Sequence, residues 1–207
     1  MLTPFNRVVL WFTAFAASLL VYRICKTENL VYIFLAWNLF LAFIPYWISS
    51  WLKKKNEIKL IHFPILCLWI VFLPNSPYII TDLFHLKHRD PMPLWYDLVL
   101  VYSFALIGFV LFYRSAMDII ALTKTKMPEN YFQFILPVFF SVIAFGLYMG
   151  RYLRFNSWDI VHHPFRLVYR SYNALFCKDA IGFTLIFAVF MWFVYLTLVT
   201  FNSKEKT

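Results

Sequence analysis

Carboxylate, imidazole and guanidinium side chains gather in two stretches of this otherwise apolar chain, and such groups could bind a metal ion or an anion. In the first stretch Asp82 and His85 lie three residues apart, and in the second Asp159 and His162 repeat that spacing. Oxygen and imidazole ligands suit divalent metals, so these four residues are the weak candidates for a metal site. Because this spacing also arises by chance, no cofactor is the default expectation and a divalent metal is the alternative.

Two arginines, Arg151 and Arg154, open the second stretch and could hold an anion. An arginine near the centre of a bilayer costs about 2.5 to 3.5 kcal/mol, so a pair at a helix end requires carboxylates, carbonyls or a bound anion. Asp82, Asp97 and Asp159 are the available carboxylates. The sequence therefore predicts either a structural network of ion pairs or an anion site.

The balance of charge in the two stretches favours an anion site. The two stretches together contain seven basic residues and five aspartates, which leaves a surplus of two positive charges. A basic surplus beside aromatic residues suits an anionic lipid headgroup or a small anion. The catalytic residues, if any, are unknown, and the predicted ligand-binding residues are Asn75, Tyr78, Asp82, His85, Asp97, Arg151, Arg154, Asn156 and Asp159.

The elements that must position these groups are membrane helices. Apolar residues make up 62% of the 207 positions and charged residues 14%, against about half and about a quarter in soluble domains. A span needs about 20 helical residues. The sequence predicts an all-α polytopic transmembrane bundle, as one membrane domain over 1–207, with about six spans at 5–23, 30–51, 60–74, 94–114, 131–151 and 180–202.

Two shorter helices are expected on one side of the membrane. Pro74 and Pro77 should break the third span, and Ser76 before Pro77 predicts a helix start, with a re-entrant or interfacial helix running to about Lys87. It would carry four polar residues along one face, namely Tyr78, Asp82, His85 and Arg89. Before the last span, apolar residues at helical spacing, with Arg166, Arg170 and Asn173 between them, predict an amphipathic interfacial helix. Those apolar residues are Phe165, Val168, Tyr169, Tyr172, Leu175 and Phe176.

The distribution of basic residues predicts the orientation. With six spans and the amino terminus in the cytoplasm, ten basic residues, Lys126 and Lys206 among them, lie inside and nine outside. Five of those nine belong to the loop after the fifth span, and the run 53–55 is the juxtamembrane cluster that the positive-inside rule weighs most. Both termini are therefore predicted to be cytoplasmic. Two spans separate the two polar stretches, which places both on the extracytoplasmic side.

Four stretches, residues 37–39, 73–86, 93–97 and 150–159, resemble a family of bacterial membrane proteins known as domain of unknown function 1361. The resemblance covers most of the chain and implies a multi-pass protein of the bacterial inner membrane. The family's biochemical activity is unassigned, so the resemblance implies no substrate and no mechanism.

Three functions remain open from the sequence. The first is binding of an anionic lipid headgroup or small anion at the extracytoplasmic site. The second is a metal-assisted membrane enzyme acting on lipid phosphate, and the third is a structural or accessory subunit of a membrane complex. Membrane lipids are the expected partners, with a membrane-protein partner or a homo-oligomer as further options. Nucleic acid is not expected, because membrane topology already explains most of the net charge of +9.

Overall fold

Residues 3–55, 59–124 and 129–204 are described by a computed structural model, and Lys126 and Lys206 lie outside them. Six segments in the described part are long and apolar enough to cross a membrane, which confirms the predicted all-α polytopic architecture. The helices are α1 (Pro4–Thr27), α2 (Phe34–Lys54), α3 (Phe63–Phe72), α4 (Asn75–Tyr78), α5 (Leu94–Lys124), α6 (Glu129–Arg151), α7 (Asp159–His162), α8 (Pro164–Ala174) and α9 (Lys178–Lys204).

The chain divides into two compact units, Met1–Asp118 and Ile119–Thr207, with the division inside α5. The apolar core of the first unit is built mainly by α1, α2 and α5. In the second unit α6 and α9 pack side by side and antiparallel, because Phe140 contacts Tyr195 whereas Tyr148 contacts Phe183. The single membrane domain expected from the sequence stays a prediction.

Two of the spans extend past the charged residues that were expected to end them. Helix α1 begins after Thr3, whose side chain accepts a hydrogen bond from the backbone N–H of Asn6, and it continues through Arg23 to Thr27. Helix α5 continues through Arg114 and Asp118. Both helices thus continue beyond the predicted span ends, and Arg23, Arg114 and Asp118 form ion pairs with other side chains, as described below.

The third span is interrupted at the prolines, as predicted, but not in the predicted manner. Helix α3 ends at Phe72, α4 follows, and a 3₁₀ segment continues over Ile79–His85. Ser76 is not a helix cap: it lies inside α4, and its hydroxyl donates to the carbonyl of Ala42 at 2.9 Å. The predicted α-helical polar face is also wrong, because a 3₁₀ segment has three residues per turn and this one ends before Arg89. The re-entrant or interfacial placement stays a prediction.

Helix α5 contacts α4 closely at Gly108. A Cβ atom added at this glycine would lie 2.3 Å from the carbonyl oxygen of Ser76. Small residues permit such close approach between helix backbones. This contact packs the interrupted third span against α5.

Candidate functional site

A buried ion pair joins α1 to the start of α5. Arg23 donates from Nε to Oδ1 of Asp97 at 2.7 Å and from Nη2 to Oδ2 at 3.1 Å. The two side chains are only 2% and 1% exposed. A two-pronged pairing of this kind satisfies both oxygens of the carboxylate, and removal of either partner would leave a buried charge.

Tyr32 and Arg89 extend this ion pair. The Tyr32 ring lies 4.5 Å from the guanidinium carbon of Arg23 and 5.4 Å from that of Arg89. Nη1 of Arg89 donates to the Tyr32 hydroxyl at 2.8 Å and to the carbonyl of His85 at 3.2 Å. Burial raises the pKa of Tyr32, and the charge of Asp97 raises it further, so the phenol stays neutral. Arg23 thus pairs with Asp97, whereas Arg89 contacts this pair only through the Tyr32 ring and hydroxyl.

Arg89 is the cation of this group that has no carboxylate partner among the described residues. Its side chain is half-buried, and its hydrogen bonds to Tyr32 and to the carbonyl of His85 both come from Nη1. The group of Arg23, Tyr32, Arg89 and Asp97 therefore carries a net positive charge at the end of the first unit where α5 begins.

The other predicted residues of the first unit lie on the interrupted third span. Asp82 is 1% exposed and accepts a hydrogen bond from Nδ2 of Asn38 at 2.8 Å. The side chain of Asn75 donates a hydrogen bond to the backbone carbonyl of Phe72 at 2.9 Å. The backbone carbonyl of Tyr78 accepts a hydrogen bond from the hydroxyl of Thr81. Asn38 therefore forms a hydrogen bond that joins α2 to the interrupted third span.

In the second unit Arg151 is the last residue of α6, and Arg154 lies beyond it with a φ of 56°. The helix therefore ends between the two arginines, so they do not share a helical face. Asp159 accepts a hydrogen bond from the backbone N–H of Asn156 at 2.7 Å, so this carboxylate closes the turn before α7.

Helix α8 has three distinct faces. Ala174 is buried, and the hydroxyl of Ser171 lies 3.5 Å from the sulfur of Met149 on α6, so this face packs within the unit. Arg166 and Arg170 lie one turn apart, are exposed, and form no ion pair with any described residue. The third face exposes apolar side chains, namely Phe165, Val168, Tyr169 and Tyr172. This arrangement confirms the predicted amphipathic helix, although α8 ends at Ala174, before Leu175 and Phe176.

The four candidate metal ligands are not brought together in the described part of the chain. No group of three His, Cys, Asp or Glu side chains there could hold a metal ion. Asp82 and His85 belong to the first unit, and Asp159 and His162 to the second. A metal site built on these four residues stays a prediction.

The model of a family described as "Protein of unknown function (DUF1361)" matches residues 37–197, which is most of the chain. The chain belongs to this family. No curated protein sequence and no solved structure matches it significantly. Together with the six apolar helices, membership describes a multi-pass membrane protein whose family has no assigned activity.

Sequence reasoning missed Arg23, Tyr32 and the role of Arg89. One signal was available: Arg23 stands at the end of the first span and Asp97 at the start of the fourth, on the same predicted side. An acid drawn toward the membrane boundary needs a counter-charge at the same depth. Arg23 was instead counted as the residue that ends the first span. Arg23 and Tyr32 also lie outside the range matched by the family model.

Proposed function

We propose that this protein binds anionic phospholipid headgroups at the extracytoplasmic face of a bacterial inner membrane, with both termini in the cytoplasm. The observation that carries the proposal is the structure of α8, whose exposed apolar face lies beside two arginines without carboxylate partners among the described residues. A helix with these properties lies along the membrane interface, with apolar side chains among the acyl chains and cations at the headgroups.

Charge in the second unit supports the proposal. The stretch 151–179 carries five basic residues and two acidic ones, a surplus of three. Asp159 already accepts a backbone hydrogen bond, and the charge of Asp97 is met by Arg23 within the first unit. The five basic residues are Arg151, Arg154, Arg166, Arg170 and Lys178.

The chemistry of guanidinium favours a phosphate ligand. Its planar fork can donate two parallel hydrogen bonds to a phosphate, and the fixed geometry adds specificity to the attraction of charge. The proposed site comprises Arg166 and Arg170 together with Arg151, Arg154 and Asn156 in the preceding loop.

The test is a binding measurement on the full purified chain. The double variant Arg166→Gln/Arg170→Gln should bind phosphatidylglycerol about thirtyfold more weakly, since each basic residue near a membrane surface contributes about 1 kcal/mol. Native mass spectrometry of detergent-solubilised protein, titrated with phosphatidylglycerol or with zwitterionic phosphatidylcholine, gives both affinities. Lys26→Gln is the matched control, because it removes an exposed charge on the same predicted side but outside the site.

A soluble phosphate ester distinguishes a lipid headgroup from a small anion. Glycerol phosphate should compete only weakly with phosphatidylglycerol, because it cannot use the apolar face of α8. Equal affinity of wild type and the double variant for phosphatidylglycerol would refute the proposal, as would an equal loss in Lys26→Gln.

A further inference from the structure

A cleft of about 760 Å³ opens in the first unit at the end where α1 begins and α2 ends. We propose that this cleft binds one anionic phospholipid molecule from the leaflet on that side, which the basic residues predict to be cytoplasmic. The site lies at the opposite ends of α1 and α2 from Arg23 and Tyr32, so it goes beyond the function proposed above.

The walls of the cleft suit the glycerol backbone and the upper acyl chains of a lipid. Val9 and Leu10 of α1 line one side, and Phe43, Trp47 and Trp51 of α2 line the other. The two tryptophans are 52% and 41% exposed. Tryptophan concentrates at the boundary between acyl chains and headgroups, so this end of the unit has the chemistry of that boundary.

The rim of the cleft is basic. Lys53, Lys54, Arg114 and Asp118 line it, which gives three cations to one carboxylate. The carboxylate of Asp118 forms ion pairs with two of these cations. Its Oδ1 lies 2.6 Å from Nζ of Lys53, and its Oδ2 lies 3.4 Å from Nε of Arg114. The side chains of Lys53 and Arg114 are 48% and 42% exposed, so each keeps donors on the open side. Among the described residues that line the cleft, a surplus of two positive charges remains for a phosphodiester.

A neutral donor lies between the charged rim and the apolar walls. The side-chain oxygen Oδ1 of Asn6 accepts a hydrogen bond from the hydroxyl of Tyr46 at 2.5 Å. The side-chain nitrogen Nδ2 of Asn6 therefore points away from that bond. This nitrogen has no acceptor among the described residues. An ester or phosphate oxygen of a lipid held by Lys54 and Arg114 would supply one.

The size and position of the cleft favour a single lipid over other occupants. Its volume is in the range of about 300 to 1,000 Å³ typical of small-molecule sites, which accommodates a headgroup and glycerol backbone while the tails continue into the bilayer. A second copy of the chain or a peptide would need a counter-charge for the basic rim. A phosphodiester provides that charge on the same molecule that fills the apolar walls.

The first experiment compares two adjacent lysines in the full detergent-solubilised chain. Lys54 lines the cleft, whereas Lys55 lies beside Trp51 and does not. Titration with phosphatidylglycerol, followed by native mass spectrometry, should show about a fivefold weaker affinity for Lys54→Gln and an unchanged affinity for Lys55→Gln. Equal effects of the two variants would mean diffuse surface attraction and would overturn the proposal.

The second experiment fills the cleft. Ser50→Phe places a ring among the lining residues, and Ser18→Phe places one on an exposed part of α1 outside it. In native mass spectra, the wild-type protein and Ser18→Phe should each retain one phosphatidylglycerol molecule, whereas Ser50→Phe should not. The wild-type protein should not retain phosphatidylcholine. An unchanged lipid count in a folded Ser50→Phe variant, or equal retention of phosphatidylcholine, contradicts the proposal.

The same titration separates this site from the one on α8. In the Arg166→Gln/Arg170→Gln background the lipid assigned to the cleft should still be retained and should still depend on Lys54. Loss of all bound phosphatidylglycerol in that background would refute lipid binding in the cleft and would leave the function proposed for α8 unaffected.

Discussion

The two units of the chain use charged residues in opposite ways. In the first unit Arg23 and Asp97 are almost fully buried and neutralise each other, and Asp82 is held by Asn38. In the second unit Arg154, Arg166 and Arg170 are exposed and form no ion pair with described residues. The first arrangement stabilises a fold, whereas the second leaves cations available to an external anion.

This contrast separates the two interpretations that the sequence left open. A structural network and an anion site were predicted from the same set of residues. The buried acids of the first unit fit the structural interpretation, because each accepts hydrogen bonds within that unit. Substitutions at the buried acids of the first unit should accordingly reduce stability, and substitutions at the exposed arginines of the second unit should reduce ligand affinity.

The largest effect is expected at Asp97. Asp97→Asn leaves Arg23 charged and buried without a counter-charge, which should lower the free energy of unfolding by about 3 to 5 kcal/mol. Denaturant unfolding in detergent measures the loss. Asp159→Asn in the second unit is the matched control and should cost much less, because that carboxylate is more exposed.

A double variant tests the cause of that loss. Arg23→Gln/Asp97→Asn should be more stable than Asp97→Asn alone, since it removes both charges. Strictly additive losses would show that the ion pair does not account for the effect.

The glycines provide a second comparison between the units. Gly108→Ala would place Cβ 2.3 Å from the backbone oxygen of Ser76, whereas Cβ at Gly182 would meet nothing within 4 Å. We expect Gly108→Ala to destabilise the protein by about 1 to 3 kcal/mol through overpacking. Gly182→Ala should be neutral or should stabilise α9 by up to about 1 kcal/mol. Similar unfolding curves for the two variants would argue against the close contact between α4 and α5.

A smaller loss of stability is expected at Asn38. Asn38→Leu removes the hydrogen bond to Asp82, and such bonds between membrane helices contribute about 0.6 kcal/mol on average and about 1.7 at most. Unfolding in detergent measures the loss. A gain in stability would show that the 2.8 Å bond does not hold α2 to the interrupted third span.

The smallest effect concerns Cys177, just before α9. Hydrogen bonds from the backbone N–H groups of Ala180 and Asp179 lower the pKa of this thiol below its ordinary value. The thiolate fraction at a given pH is therefore raised, and the midpoint of the pH profile for alkylation should lie below that of a free cysteine peptide. The profile is measured in a Cys25→Ser/Cys67→Ser background. A midpoint at or above that of the peptide would contradict the prediction.

Hydropathy and helical spacing were sufficient to predict the six spans and the amphipathic α8, because both patterns are local. The partners of buried charges were not predictable in the same way. Arg23 and Asp97 are far apart in sequence, and the predicted first span ends at Arg23 on the assumption that a charged residue leaves the membrane. The same assumption cut short α5, where Asp118 pairs with Lys53. The 3₁₀ geometry of Ile79–His85 was missed because residue spacing alone does not distinguish it from an α-helix.

The central claim is that the cations of α8 bind lipid and do not hold the fold together. The most direct measurement records, for Arg166→Gln/Arg170→Gln, both the affinity for phosphatidylglycerol and the unfolding curve in lipid-free detergent. We predict an affinity about thirtyfold lower with an unchanged unfolding curve. An unchanged affinity, or a loss of lipid-free stability comparable to that of Asp97→Asn, would contradict the claim.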